Sequence, residues 1–159
     1  FDYCCCQASF ALKESGYIQP ITQYAKTKWL AEKELNRIAS DDFTIVSLRP
    51  STVYGPSPKL RCDILLNNLV GYAHTVRKIV IKSDGTPYRP TIHINDLCRA
   101  FVGCINASSD MINAEAFNVG QRNENYSVAE LAKKVQQQLA IQSVEFTHDD
   151  LDIIEKYII

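Results

Sequence analysis

Residues 23–35 read QYAKTKWLAEKEL and place Tyr24 four residues before Lys28. Apolar residues recur at three- and four-residue intervals through residues 22–39, which predicts a helix with Thr22 as its N-cap. Positions four apart share a helix face, so the phenol and the ammonium are neighbours. A free tyrosine, with a pKa near ~10, is a poor base at neutral pH, but a cation held close favours the phenolate. Tyr and Lys at this spacing are common on solvated helix faces, so the spacing alone does not indicate an acid–base pair, and the rest of the chain has to decide.

Helical and extended patterns alternate along the whole chain. A β-rich run at residues 43–48 ends at Pro50, and residues 64–75 read as a second helix. The next predicted elements are two short strands around a polar turn at Asp84 and Gly85, as in a hairpin, and a helix capped by Asn95. A strand in EAFNVG and a helix with Ser127 and Glu130 as a capping box come after them. The last two predicted elements are a weak strand in SVEFTH and a short helix over the last ten residues. This order predicts an α/β fold with a parallel sheet.

The composition argues against several classes of protein. The chain has 159 residues with 46% hydrophobic and 22% charged content, which is typical of one globular domain. A formal charge of -1 without a basic run argues against a nucleic-acid partner. No apolar run approaches the ~18 residues of a membrane span. The six cysteines form no C-x-x-C pair, so we interpret them as reduced thiols of a cytoplasmic protein that binds no metal.

Four blocks occur in a fixed order between about residues 19 and 135: PITQYAKTKWLAEKEL, VSLRPSTVYGP, YRPTIHINDLCRAF and FNVGQRNENYSVAELA. Together they resemble the NAD-dependent nucleotide-sugar epimerase/dehydratase family of the extended short-chain dehydrogenase/reductases. The resemblance implies an α/β fold: the C-terminal part of a Rossmann-like doubly wound parallel sheet plus a small α/β substrate-binding subdomain. It assigns residues 1–60, with the catalytic helix, to the NAD-binding domain. Residues 61–159 fall mainly in the substrate-binding subdomain, with segments at about 79–119 returning to the NAD-binding domain.

The resemblance implies catalytic and cofactor-binding roles for three residues. Tyr24 matches the family's catalytic tyrosine. Lys28 matches the lysine that lowers the pKa of that tyrosine and hydrogen-bonds the nicotinamide ribose, so both residues also contact the cofactor. Ser51 lies where the family's chain passes the nicotinamide. The implied cofactor is NAD in preference to NADP.

Three further residues are implied in substrate binding. Thr52 occupies a position, commonly Asn, that contacts the sugar nucleotide, and Asn68 matches a residue near the substrate's diphosphate. Arg89 matches an arginine that grips this diphosphate, a task that suits a guanidinium fork. We interpret the neighbouring His93 and Asp96 as structural, His93 as a strand position and Asp96 as a helix cap.

The family's mechanism implies a nucleotide-diphosphate sugar as substrate. The tyrosinate removes a proton from a sugar hydroxyl while hydride passes to the nicotinamide, which gives a transient keto sugar. Epimerases then return the hydride to the other face, and dehydratases first expel water from the neighbouring carbon. The cofactor performs the redox step, and the protein supplies position and electrostatics. The family usually pairs subunits through the tyrosine helix, so a homodimer is implied for the full-length parent.

The family's Gly-rich dinucleotide fingerprint has no counterpart in this chain. Its six glycines stand at positions 16, 55, 71, 85, 103 and 120, and no two form G-x-x-G or G-x-G. The chain also has no initiator Met, and Ser9 is the sole hydroxyl where the family has a Ser/Thr-rich strand end. These departures predict a fragment that lacks the cofactor half and is inactive alone.

Two other functions stay open at this point. A non-catalytic remnant or binding module of the same fold is favoured by the missing fingerprint, while the intact Tyr24 and Lys28 argue against it. An NAD(P)-dependent carbonyl reductase keeps the catalytic pair, but Asn68 and Arg89 favour a substrate that carries a diphosphate.

Overall fold

The computed structural model describes residues 13–16, 18–141 and 143–146. The helices and strands of these residues follow in chain order as α1 (Gln23–Ile38), β1 (Val46–Pro50), β2 (Thr52–Tyr54), α2 (Leu65–Val76), β3 (Ile79–Ile81), β4 (Tyr88–His93), α3 (Ile94–Asn106), α4 (Ser109–Ile112), β5 (Glu115–Val119), β6 (Asn125–Ser127), α5 (Val128–Leu139) and β7 (Val144–Phe146). Ser9 and the predicted terminal helix lie outside the described residues. Within those residues, no helix has the length and apolar character needed to cross a membrane.

The strands pair in three small sheets, mostly in parallel. β1 lies parallel to β5, from Val46 opposite Glu115 to Pro50 opposite Val119. β2 lies parallel to β4, which also pairs with β6 in the antiparallel sense, and β3 lies parallel to β7. Parallel strands joined through helices confirm the predicted α/β fold class.

The predicted hairpin around Asp84 and Gly85 is wrong, although both of its strands exist. β3 pairs with β7, whereas β4 pairs with β2 and β6. The turn between β3 and β4 packs against the start of α5, because the Gly85 carbonyl accepts a hydrogen bond from the Ala129 N–H at 3.0 Å. Gly85 has a φ of +75°, which glycine adopts without steric cost. The contact with α5 therefore directs β4 into a different sheet.

α1 is tied to β1 by an ion pair. The helix begins as predicted, with the Thr22 hydroxyl accepting a hydrogen bond from the Ala25 N–H at 3.1 Å. Ala25 is the one buried residue of this helix. Arg49 of β1 donates from Nε to the Glu32 carboxylate of α1 at 3.0 Å, and both side chains are only 10% exposed. This pair fixes the helix that carries Tyr24 to the strand.

The buried hydrophobic cluster of the described residues lies between α2, β3 and α5. Its members are Leu69, Ala73, Ile79, Ile81, Leu131, Ala132, Val135 and Ile141. By contrast, α3 buries none of its residues. An open groove of about 480 Å³ separates α3 from β1, and its apolar lining includes Leu48 and Phe101. The region of α2, β3 and α5 is therefore packed much more tightly than the region between α3 and β1.

α5 begins with the predicted capping box. The Ser127 hydroxyl accepts from the Glu130 N–H at 3.2 Å, and the Glu130 carboxylate accepts from the Ser127 N–H at 2.8 Å. The hydrogen bond from the Ser127 backbone, with that residue's hydroxyl and Lys134 in support, holds the pKa of Glu130 below its ordinary value of 4.5. The box satisfies two N–H groups that would otherwise lack partners at the helix start.

The lowered pKa of Glu130 predicts a pH-dependent contribution to stability. A carboxyl whose pKa falls on folding stabilises the native state above its unfolded pKa, and this stabilisation is lost as pH falls through the folded pKa. We expect Glu130→Gln to be less stable than wild type at pH 6 and the difference to shrink as the pH falls from 6 to 3, measured by urea unfolding. Glu115→Gln, which changes an exposed carboxylate on β5, is the control and should not reproduce this convergence. A difference that stays constant between pH 6 and pH 3 would contradict the expectation.

Candidate active site

Tyr24 and Lys28 lie together on an exposed face of α1. The Lys28 Nζ is 5.6 Å from the centroid of the Tyr24 ring. The Tyr24 side chain lies on the surface, with the residue 44% exposed. Four-residue spacing on a regular helix produces this geometry. The phenol is therefore open to a ligand and has an ammonium group beside it.

Arg61 adds a second cation near this pair, and the sequence patterns gave no signal for it. It lies in the loop between β2 and α2 and donates two hydrogen bonds to Asp63, from Nε at 3.2 Å and from Nη2 at 2.5 Å. The bond to Asp63 is the main cause of a raised pKa of Arg61, and the negative charge of Tyr24 in its ionised form makes the smallest contribution. The electrostatic surroundings of Tyr24 therefore include a guanidinium as well as the Lys28 ammonium.

Ser51 holds a buried hydroxyl at the carboxyl end of β1. The residue is 3% exposed, and its N–H donates to the Val119 carbonyl at 2.8 Å. The Ser51 Oγ has no hydrogen-bond partner among the described residues. Buried hydroxyls nearly always have a partner, and ligands of parallel α/β sheets bind at the carboxyl ends of strands. The position and the unpaired hydroxyl suit a contact with a bound ligand.

Thr52 and Arg89 lie on neighbouring strands. Thr52 begins β2 opposite Thr91 of β4, and Arg89 lies two residues earlier on β4. Arg89 is half-buried, and its Nη1 donates to the Tyr88 carbonyl at 3.3 Å. The other N–H groups of this guanidinium make no hydrogen bond to the described residues, so they are available to an anionic group.

Asn68 uses its side-chain amide to hold a loop. Its Nδ2 donates to the Cys62 carbonyl at 3.1 Å, and the Nδ2 of its neighbour Asn67 donates to the Arg61 carbonyl at 3.0 Å. Asn67 Oδ1 also accepts from the Gly55 N–H at 3.3 Å. The two asparagines thus anchor the loop that carries Arg61 to the start of α2. Sequence reasoning singled out Asn68 and missed Asn67.

The caps predicted for α3 are wrong. The helix begins at Ile94, and its N-cap is His93, whose Nδ1 accepts from the Asn95 N–H at 3.2 Å. Asp96 lies in the first turn and accepts from Arg99 Nη1 at 2.9 Å. Sequence rules for caps favour short side chains with oxygen acceptors, so they pass over an imidazole nitrogen in the same position.

Tyr54 is a second tyrosine near the site, but its surroundings keep it neutral. Its hydroxyl donates to the Glu124 carboxylate at 3.4 Å, and its ring meets the His93 ring edge-on with centroids 5.3 Å apart. Burial raises the pKa of Tyr54, and the charges of Glu124 and Asp96 raise it further. Because the raised pKa keeps this phenol protonated at neutral pH, Tyr54 is a poor general base.

The predicted site residues fall into two groups. Ser51 follows the end of β1, Thr52 is the first residue of β2 and Arg89 is the second residue of β4, while Tyr24 and Lys28 lie on α1. No hydrogen bond between described residues joins the α1 pair to the strand group. The Arg49–Glu32 ion pair links α1 to β1 two residues before Ser51, and the loop between β2 and α2, which Asn68 holds, carries the arginine that interacts electrostatically with Tyr24.

The fold is similar to several solved structures of enzymes that act on nucleotide sugars. A dTDP-glucose 4,6-dehydratase from Bacillus anthracis strain Ames, solved with NAD, has 19% identity and a TM-score of 0.75, with 94% of this chain and 47% of that chain covered. A UDP-glucuronic acid 4-epimerase from Bacillus cereus, solved with UDP-glucuronic acid and NAD, has 26% identity and a TM-score of 0.76, with 92% and 45% covered. The ADP-L-glycero-D-manno-heptose-6-epimerase of Helicobacter pylori has 20% identity and a TM-score of 0.70, with 91% and 45% covered.

The chain thus spans a little under half the length of these solved chains. The first two confirm the Rossmann-like fold that the sequence blocks implied. The model of the NAD dependent epimerase/dehydratase family matches residues 8–120, which include the Tyr24 helix, the LRPSTVYGP block and the RPTIHINDL block. The chain therefore belongs to the NAD-dependent epimerase/dehydratase family.

Proposed function

We propose that this chain supplies the catalytic tyrosine and part of the substrate site of an NAD-dependent epimerase or dehydratase that acts on a nucleotide-diphosphate sugar. The observation that carries the proposal is the Tyr24–Lys28 pair, exposed on one helix face in a chain of this family. Tyr24 takes the proton from a sugar hydroxyl and returns it in the reverse step. Lys28 stabilises the phenolate, and Arg61 adds positive charge nearby.

The residues that would meet the nicotinamide end of NAD are Tyr24, Lys28 and Ser51. The buried Ser51 hydroxyl, which has no partner in the described part of the chain, and the exposed ammonium of Lys28 suit the carboxamide and the ribose of such a group. Bound NAD would accept the hydride from the sugar carbon. The Gly-rich turn that cradles a dinucleotide pyrophosphate does not occur in this sequence, so we expect the chain by itself to be inactive.

Three residues would bind the substrate. Arg89 would offer the diphosphate those guanidinium N–H groups that bond none of the described residues, with Asn68 near the same group and Thr52 beside the sugar. The B. cereus epimerase was solved with UDP-glucuronic acid, which makes this nucleotide sugar the first ligand to try. Epimerisation and dehydration share these steps, so the binding residues leave both reactions open.

The division into domains stays a prediction. The pairing of β5 with β1 supports a return of residues 115–119 to the NAD-binding domain. β3, in contrast, packs with α2 and α5 on the substrate-binding side. We also propose a cytoplasmic homodimer for the whole protein. The exposed apolar side chains of Leu35 and Ile38 on α1 and the free thiols of Cys62 and Cys98 support this view.

A binding module without catalysis is the second candidate, and the missing glycine fingerprint favours it. Such a module would bind a nucleotide sugar through the same substrate residues but would have no use for Tyr24 as a base. Ligand binding therefore tests the substrate class for both candidates, whereas turnover separates them.

We expect the chain to bind UDP-glucuronic acid, and we expect Arg89→Met to weaken this binding about tenfold or more, because hydrogen bonds to charged groups contribute roughly 1.5–3 kcal/mol. Isothermal titration calorimetry measures both affinities. Arg37→Met is the matched control, since Arg37 is an exposed arginine of α1 that pairs with Glu34. An Arg89→Met variant that binds as tightly as wild type would remove Arg89 from the substrate site. If the wild-type chain binds neither this ligand nor any other nucleotide sugar, the proposed function fails.

A further inference from the structure

Gly55, the first residue after β2, touches the imidazole of His93. Gly55 has a φ of +112°, a conformation that side chains of L-residues rarely adopt. A Cβ at this position would lie 2.6 Å from His93 Nε2 and 2.9 Å from His93 Cδ2. The ring therefore rests directly against the backbone of the turn, and only glycine leaves room for it.

Three structural elements meet at this contact. His93 is the last residue of β4, and Gly55 follows β2. The Gly55 N–H donates to Asn67 Oδ1 of α2 at 3.3 Å. Each element carries one of the proposed substrate residues, which are Thr52 on β2, Asn68 on α2 and Arg89 on β4.

The His93 ring is itself held from two other sides. Its Nδ1 accepts from the Asn95 N–H at 3.2 Å, so a rotation of the ring would uncap α3. The Tyr54 ring meets it edge-on at an interplanar angle of 78°, and the Tyr54 hydroxyl is fixed by Glu124. The imidazole therefore presents one defined edge to Gly55.

We propose that His93 is a positioning residue, which holds the turn at Gly55 and so aligns Thr52 with Asn68 and Arg89 for a nucleotide sugar. The inference rests on the proposed function, because it takes these three residues as the substrate contacts. A ligand that contacts all three residues should bind more tightly when they are already aligned, because ordering them during binding would lower the affinity. A ligand that contacts fewer of these residues should depend less on their alignment.

The affinity for the free nucleotide should depend less on His93 than the affinity for the nucleotide sugar does. UDP would use Asn68 and Arg89 for its diphosphate, and these two residues are also connected by another route. α2 packs against α5, and α5 directly follows β6, which pairs with β4 beside Arg89. Thr52, which would contact the sugar, pairs with Thr91 of β4, but its connection to α2 runs through the turn at Gly55 and the hydrogen bond to Asn67.

His93→Asn tests the proposal, because asparagine is a good N-cap and keeps an acceptor for the start of α3 while removing the ring from Gly55. We expect the affinity for UDP-glucuronic acid to fall roughly tenfold, about the effect of one lost charged hydrogen bond, and the affinity for UDP to fall by less than about twofold. Calorimetry measures both ligands, and thermal unfolding followed by circular dichroism confirms that the variant is folded. His74→Asn, an exposed histidine of α2, is the control and should leave both affinities unchanged.

Two results would overturn the inference while the proposed function stands. One is a His93→Asn variant that binds UDP-glucuronic acid as tightly as wild type. The other is an equal loss of affinity for UDP and UDP-glucuronic acid, which would reduce His93 to a structural cap. A wild-type chain that binds neither these two ligands nor any other nucleotide sugar would overturn the proposed function, and the positioning role with it.

Discussion

Tyr24→Phe is expected to reduce the turnover of a nucleotide sugar by about 10²–10⁴-fold, the usual contribution of a positioned general acid/base. The phenylalanine keeps the ring that lies 5.6 Å from Lys28 Nζ and removes only the hydroxyl that exchanges the proton. Substrate binding through Thr52, Asn68 and Arg89 should change by less than about threefold, so the loss appears in kcat. The assay uses the protein expressed from the complete reading frame that encodes this chain, with NAD and the nucleotide sugar that binds best.

Tyr72→Phe is a suitable control, because Tyr72 is an exposed tyrosine of α2 at the surface of the chain. It should retain full turnover. Full turnover in the Tyr24→Phe protein would show that Tyr24 is not the base. If the wild-type protein bound its ligand but never turned it over, the binding-module candidate would replace the enzyme.

Arg49→Met is expected to lower the free energy of unfolding by about 3 kcal/mol, the effect of leaving one partner of a largely buried ion pair without its counter-charge. Glu32 would keep a carboxylate that is 10% exposed and has lost the two hydrogen bonds from Arg49. Urea unfolding at pH 7 gives this difference. The same change should displace α1, and with it Tyr24, so any turnover of the whole protein should fall as well.

The double variant Glu32→Gln/Arg49→Met tests whether the unpaired carboxylate causes the loss, because both variants also lose the hydrogen bond from Arg49 to the Glu14 carbonyl. Removing both charges should recover a large part of the lost stability, because the cost lies mainly in the uncompensated carboxylate. Arg37→Met breaks an exposed pair on the same helix and should change the unfolding free energy by at most about 1 kcal/mol. If Arg49→Met destabilised no more than Arg37→Met, the ion pair would not be what holds α1 to β1.

Local signals account for what the sequence predicted well. The Thr22 cap of α1 and the capping box of Ser127 and Glu130 depend on atoms three residues apart, so a single sequence contains all the information. The same holds for the shared helix face of Tyr24 and Lys28. The parallel α/β class also followed from the order of the elements.

Contacts between distant residues account for most of what the sequence missed. β3 pairs with β7 across more than sixty residues, and the sequence of neither three-residue strand indicates which strand it pairs with. The contact of Gly55 with His93, and the electrostatic interaction of Arg61 with Tyr24, arise only when separate loops and strands come together. Burial of the Ser51 hydroxyl is likewise a property of the fold, since serine alone is usually exposed.

The uneven packing of the chain has a consequence for its internal motion. α2, β3 and α5 share one buried cluster, so none of them can open without exposing the others to water. α1 buries only Ala25 but is also held by the Arg49–Glu32 ion pair, whereas α3 has no buried residue, so the detachment of α3 should cost less. Thermal opening is therefore expected first in α3, and last in the elements that share the buried cluster.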